Sequence, residues 1–309
     1  MQDLKKLNKL PNFLIVGSTK AGTTSIYNYL QQHPEIYLNK EVKESNFFVK
    51  PKSVLGCGPR HCGENSYGKS IKDYEKLFEY ADISKHKAIG EVCTTYLHFS
   101  NNVIPNIKKY IENPKIIIIL RNPVDRAFSY YMHNIRDGDE ILSFEDALEN
   151  ESWRIENNQW LSFRLKTLGL YAEHVENYKK SFPDVKVIIY EDMLHDMQST
   201  VNQIFEFLNI DKHEINIQER HNISGIPKSR LLHNMSHGYN FFSKALLKVA
   251  GMLINKKLIK KIQNYIDKNN LRKASMNENT RQKLKKYFYS DVKKLSRVLG
   301  VDLNKIWKI

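Results

Sequence analysis

Lys20, Arg121, Ser129 and Glu44 are the side chains around which a reaction could be built. Lys20 lies in Gly17-Ser18-Thr19-Lys20-Ala21-Gly22-Thr23-Thr24-Ser25, directly after the apolar run Phe13-Leu14-Ile15-Val16. A glycine-rich turn between a strand and a helix presents backbone N–H groups, and the helix N-terminus adds positive partial charge. Together they seat a phosphate. Gly17 and Gly22 permit the tight backbone, and Thr23, Thr24 and Ser25 add hydroxyl donors in the first helical turn. The familiar loop G-x-x-x-x-G-K-[ST] carries its lysine directly after the second glycine. Here Thr23 holds that place and Lys20 sits inside the turn. Its ammonium can reach the far end of the bound group, where charge would build on a leaving oxygen.

A second element, Arg121-Asn122-Pro123-Val124-Asp125-Arg126-Ala127-Phe128-Ser129, follows another apolar run. With Asn122-Pro123 as the turn, Ser129 falls about two turns into the next helix. Arg121, by a bidentate fork, and Ser129 can grip a second phosphate. Two phosphate seats in this order are far more specific than either alone.

The elements that position these groups are legible from periodicity. Phe13–Val16 reads as a short buried strand and Thr23–Gln32 as a helix stopped by His33-Pro34. Further strands are expected at Lys87–Val92, Lys115–Leu120 and Val185–Asp192. Helices are expected at Ile71–Tyr80, Val124–Arg136, Phe144–Asn150, Leu168–Lys180 and Thr200–Leu208, with one more over Asn279–Trp307. Five branched apolar residues in Lys115–Leu120 imply a strand covered on both faces. The alternation predicts an α/β fold: a three-layer α/β/α arrangement, a central mainly parallel sheet and a P-loop-like nucleotide-binding core. Ligands in such sheets sit at the C-terminal strand ends. One domain is expected, its core at 11–225 and a basic helical region at 226–309.

Lysine and arginine number 48 against 34 acidic residues, a formal charge of +14, which favours anionic partners. The segment 241–266 is amphipathic and lysine-rich. It reads as a helix packed on the core, or as peripheral contact with an acidic membrane. No apolar stretch before Gly17 is long enough for a signal segment, so a cytoplasmic protein with reduced thiols is expected, with the inner membrane face as a second location. Cys57 and Cys62 have no second Cys/His pair at zinc spacing and read as a loop thiol pair; no metal is implied. Val49–Gly68 reads as a surface loop. Tyr171 and Tyr190 read as core aromatics with one polar end, and His133 as a half-exposed side chain.

Together the two phosphate elements resemble the paired cofactor motifs of sulfotransferases that use 3′-phosphoadenosine 5′-phosphosulfate (PAPS) and release 3′,5′-ADP (PAP). Lys43-Glu44-Ser45-Asn46-Phe47-Phe48 is similar to that family's K-E-P-H-F-F segment. Gly90-Glu91-Val92-Cys93-Thr94-Thr95-Tyr96-Leu97, Tyr190-Glu191-Asp192-Met193 and the loop at 221–230 are similar to three further, weaker segments.

The resemblance implies that Lys20, Ala21, Gly22, Thr23, Thr24 and Ser25 bind the 5′-phosphosulfate, and that Arg121 and Ser129 bind the 3′-phosphate. Lys20 would also stabilise the bridging oxygen. Glu44 falls at the general-base position, with Glu41 as a substitute; Lys43 and Asn46 would lie beside sulfate or acceptor. Lys228 and Arg230 would touch the 3′-phosphate or the acceptor, or be surface cations. The acceptor implied is a carbohydrate or other hydroxyl, and nucleic acid is not implied. The sequence departs from the family pattern at Ser45, Asn46, Val92 and Thr94. A P-loop kinase or NTPase, and a non-catalytic basic polyanion-binding protein, are the competing readings.

Overall fold

The structure, a computed structural model, describes residues 10–50, 55–57, 70–217, 226–227, 271–272 and 274–309. Its centre is a five-stranded sheet of β1 (Phe13–Gly17), β2 (Ile36–Leu38), β3 (Ala88–Val92), β4 (Lys115–Leu120) and β5 (Val185–Ile189), in the order β2-β3-β1-β4-β5. Every pairing is parallel. Parallel neighbours require crossovers, and helices supply them. These are α1 (Thr23–Leu30), α2 (Ile71–Lys76), α3 (Thr95–His98), α4 (Ser100–Lys108), α5 (Pro123–Arg136), α6 (Phe144–Glu149), α7 (Glu151–Glu156) and α8 (Ala172–Ser181). After β5 come α9 (Tyr190–His195), α10 (Met197–Leu208), α11 (Glu278–Leu299) and α12 (Leu303–Trp307). Ile226–Pro227 and Leu271–Arg272 form a short antiparallel pair.

The period-two geometry of the strands sorts their side chains into two cores. Leu14, Val16, Ile116, Ile118 and Leu120 pack on one face with α3, α4, α5, α8 and α11. Phe13, Ile15, Ile117 and Ile119 pack on the other with α1 and α10. The run at 116–120 is therefore covered on both sides, as its composition predicts.

Several expected boundaries are corrected. The helix expected over Ile71–Tyr80 ends at Lys76, because Leu77 and Phe78 continue as tight turns onto Tyr74 and Glu75 oxygens. The helix expected from Leu168 begins at Ala172, after a 3₁₀ turn at Thr167–Gly169. Its N-terminus is capped from α11: the Tyr171 N–H donates to Asp291 Oδ2 at 2.7 Å. The strand expected to reach Asp192 ends at Ile189, and Tyr190 opens α9. The tail forms two helices, broken where Gly300 adopts φ +69°. Strand β2 and helices α3 and α4 are too short, or too polar on one face, to stand out by periodicity.

Cys57 is disulfide-bonded, which corrects the expectation of reduced thiols at that position, while Cys93 is free and buried. The other loop cysteine, Cys62, lies outside the described residues, as do most of Val49–Gly68, the segment 241–266, Lys228 and Arg230. Among the described residues no helix is long and apolar enough to cross a membrane.

The contact between β1 and β3 leaves no spare volume. A Cβ built on Gly90 would lie 2.1 Å from Cζ of the buried Phe13 ring. We expect Gly90→Ala to cost about 1–3 kcal/mol through overpacking. Urea unfolding checks this: the midpoint falls while the slope stays constant.

Candidate functional site

The C-terminal ends of the strands converge where β1 lies between β3 on one side and β4 on the other. This is the crevice in which open parallel sheets bind ligands. From β1 the chain enters the loop at Gly17–Gly22. Lys20 (φ +67°) and Gly22 (φ +82°) bend it back toward α1. Gly22 is required twice over, since a Cβ there would also lie 2.6 Å from Met193 and 2.9 Å from Tyr190. Helix α1 has no side-chain cap. Among the described residues, the amides of Lys20, Gly22, Thr23 and Thr24 donate to no protein acceptor. Those of Ala21 and Ser25 are already used, on the Ser18 and Gly22 oxygens at 3.2 and 3.0 Å. An anion at this loop would meet these N–H groups and the positive end of α1.

Positive charge is gathered around the same loop. Burial holds the Lys20 ammonium down to a pKa of about 8, with the charges of Arg136, Arg121 and Lys43 acting in the same direction and Asp137 opposing them. Arg121, at the end of β4, donates from Nη1 to the Lys20 carbonyl at 3.1 Å and lies 4.8 Å from the centre of the Tyr190 ring. Ser129 sits half-buried on α5. Arg136 is seven residues further along α5, on the same helical face as Ser129. Arg136 belongs to neither phosphate motif; its spacing from Ser129 is the sequence signal that places it at the site. His133 pairs with Asp137 at 3.2 Å, and Arg136 with Asp137 at 2.9 Å. Burial would raise Asp137, but His133 and then Arg136 hold it below the usual carboxylate range.

The turn around Arg121 is fixed from outside. The Asn122 N–H donates to Glu191 Oε1 at 3.0 Å, and the indole N–H of Trp307 donates to Glu191 Oε2 at 2.8 Å. The Asn122 amide donates to the Trp307 carbonyl at 2.9 Å, and the buried Tyr171 hydroxyl donates to the Arg121 carbonyl at 3.1 Å. The C-terminal helix α12 thus fastens the second phosphate element, a role that sequence spacing cannot reveal across 185 residues.

After β2 the chain delivers Lys43 and Glu44 to the loop. Lys43 Nζ donates to Thr24 Oγ1 at 3.0 Å and to Glu44 Oε1 at 3.2 Å. Thr94, just past β3, donates its hydroxyl to Glu44 Oε2 at 2.8 Å and its N–H to the same oxygen at 3.3 Å. Tyr130 is raised by burial and next by the Glu44 charge, which sets α5 as the opposite wall. Asn46 adopts φ +54°, and its Oδ1 accepts from Thr95 and Cys93. Ser45 is fully buried, and its hydroxyl donates to Glu91 Oε1 at 2.5 Å. Lys20, Lys43, Glu44, Thr24 and Arg121 are thus brought together. Glu41 lies on the exposed part of the same segment and has its N–H bonded to Asn39 Oδ1.

This arrangement can seat a phosphorylated anion, charge a leaving oxygen and offer a carboxylate to an incoming hydroxyl. A family model described as Sulfotransferase domain matches residues 10–288. The chain belongs to the sulfotransferase family. A crystal structure of a sulfotransferase from Alicyclobacillus acidocaldarius superposes with a TM-score of 0.75 and 27% identity, covering 97% of this chain and 99% of the other. The chain is 27% identical over 218 residues to the mouse (Mus musculus) bifunctional heparan sulfate N-deacetylase/N-sulfotransferase 4, covering 68% of this chain and 23% of that protein. It is 26% identical over 216 residues to the mouse heparan sulfate glucosamine 3-O-sulfotransferase 3B1, covering 66% of this chain and 49% of that protein. It is 34% identical over 134 residues to the membrane-associated sulfotransferase kil1 of Dictyostelium discoideum, covering 42% of this chain and 24% of that protein.

Two outcomes are expected of this sulfotransferase site. If the Lys20 loop holds the phosphates of 3′,5′-ADP or PAPS, their charge should raise the Lys20 pKa from about 8, so binding near pH 8.5 should take up a proton. Titration calorimetry in two buffers of different ionisation enthalpy measures that uptake. Affinity should fall as pH rises through 8, and Lys20→Arg should flatten the dependence. Secondly, Trp307→Phe removes the donor to Glu191 and should weaken 3′,5′-ADP binding about tenfold, as the loss of one charge-assisted hydrogen bond would. Calorimetry at fixed pH reads it.

Proposed function

We propose that the chain transfers a sulfuryl group from PAPS to a hydroxyl of an anionic glycan, with Glu44 as general base. The carrying observation is one sheet edge that holds loop amides with no acceptor among the described residues, a cation cluster around Lys20, and Glu44 tied to that loop through Lys43. The site fits the donor. The loop amides with Thr23, Thr24 and Ser25 would hold the 5′-phosphosulfate, and Arg121 with Ser129 the 3′-phosphate. When bound, the donor supplies the sulfuryl group: its sulfur–oxygen bond to phosphate breaks as the acceptor oxygen bonds to sulfur.

Glu44 takes the hydroxyl proton, and Lys20 holds the negative charge left on the bridging oxygen. Lys43, placed between Thr24 and Glu44, orients both donor and base. The remainder is positioning, because in-line transfer asks little covalent chemistry of the protein. A glycan acceptor is supported by the heparan sulfate relatives and by the formal charge of +14, which draws in polyanions.

Turnover of radiolabelled PAPS on unsulfated heparan backbone, chondroitin and simple alcohols tests the proposal. Glu44→Gln should lower kcat about 10²–10⁴-fold, the usual worth of a general base. Lys20→Ala should lower it about 10²–10³-fold, as for a lost oxyanion donor. Full activity in both variants, or tight ATP binding without 3′,5′-ADP binding, would sink the reading.

A further inference from the structure

We propose that Thr94 is a positioning residue for the transfer reaction, its hydroxyl holding the Glu44 carboxylate in the orientation from which it accepts the proton. The proposal rests on the reading of Glu44 as base.

Thr94 stands at the N-cap of α3, where a threonine hydroxyl ordinarily accepts from an amide of the first helical turn. It makes no such bond. The hydroxyl is instead aimed at Glu44 Oε2 at 2.8 Å, and the Thr94 N–H reaches the same oxygen at 3.3 Å. The direction of the hydroxyl proton is settled by a third group. Thr19 Oγ1, in the donor loop, donates to Thr94 Oγ1 at 3.2 Å, so the Thr94 proton is free to point at Glu44.

Glu44 is therefore gripped from both ends of the donor loop. Thr19 acts on Oε2 through Thr94, and Thr24 is linked to Oε1 through Lys43. Oε2 is occupied by two donors, which leaves the remaining lone pair of Oε1 for the acceptor hydroxyl. Thr94 itself is buried at 6% exposure, so its geometry is set by the sheet and not by solvent. Glu44, on an irregular segment and with three rotatable bonds, has no such support of its own.

The test uses hydrolysis of PAPS to 3′,5′-ADP and sulfate, with water as acceptor, in the full chain. Four variants are compared: Thr94→Val, Thr94→Ser, Glu44→Gln and the double variant Glu44→Gln/Thr94→Val. Thr94→Val keeps shape and removes the donor; kcat should fall about tenfold or more with KM for PAPS changed less than about twofold. Thr94→Ser should recover most of the rate. In the Glu44→Gln background the valine should have no further effect, because residues acting as one unit are not additive.

The proposal is overturned if Thr94→Val keeps the wild-type kcat. It is equally overturned if Thr94→Val raises only KM, or slows Glu44→Gln by the same factor as the wild type. A Glu44→Gln variant with wild-type turnover would overturn the base assignment itself, a separate result from the first three. Should Thr94→Val fail to fold, the same comparison runs on Thr94→Ala against Thr94→Ser, with 3′,5′-ADP binding as the check on the intact loop.

Discussion

Burying the Lys20 ammonium beside Arg121, Arg136 and Lys43 is the constraint around which the site is organised. Removing a cation from water costs free energy, and gathering like charges adds to the cost. The depressed Lys20 pKa is the record of both. Asp137 offsets part of it, while Glu44 is occupied with Lys43 and Thr94. The protein thus keeps an excess of positive charge where the loop amides have no acceptor among the described residues, and an anionic ligand would relieve it. On the proposed reading of Lys20, donor binding and leaving-group stabilisation draw on the same electrostatic cluster.

Such a cluster needs a rigid frame, and three carboxylates away from the chemistry provide it. Glu91, fully inside the protein, is raised by burial while accepting from the hydroxyls of Ser45, Tyr74 and Tyr96, and so anchors the turn that presents Lys43 and Glu44. Glu191 joins the Asn122 turn to the C-terminal helix through Trp307. Asp291, on α11, caps α8 at Tyr171, whose hydroxyl holds the Arg121 carbonyl. Each accepts hydrogen bonds from distant parts of the chain, which pays for its desolvation. The helical C-terminal part is in this sense a brace for the turn that carries Arg121.

What the sequence made legible follows from range. The apolar runs of β1 and β4 were readable because both of their faces are buried, and the loop was readable because glycines and hydroxyls have local reasons to be there. The end of β5 was misread because Tyr190, Glu191 and Asp192 look like strand continuation. They turn helical because Glu191 must face Asn122 and Trp307, residues far away in the chain. The start of α8 was misread for the same kind of reason, since its cap comes from Asp291. Arg136 was within reach of periodicity; Thr94 and Trp307 were not, because their partners lie 50 and 116 residues distant.

The departures from the K-E-P-H-F-F pattern also take on a physical sense in three dimensions. Ser45, where the pattern has proline, supplies a hydroxyl to Glu91 and accepts from the Phe47 N–H at 3.0 Å, so the turn is fixed by hydrogen bonds rather than by a ring. Asn46, where the pattern has histidine, tolerates the left-handed backbone and accepts from Thr95 and Cys93. Thr94 turns its hydroxyl to Glu44. Each has its own partners: Ser45 bonds Glu91, Asn46 accepts from Thr95 and Cys93, and Thr94 bonds Glu44 and Thr19. Proline at 45 would remove one of the hydroxyl donors to Glu91, and histidine at 46 would remove the oxygen that accepts from Thr95. The segment presents Lys43 and Glu44 together, and on the proposed reading of Glu44 as base its differences concern how that carboxylate is held.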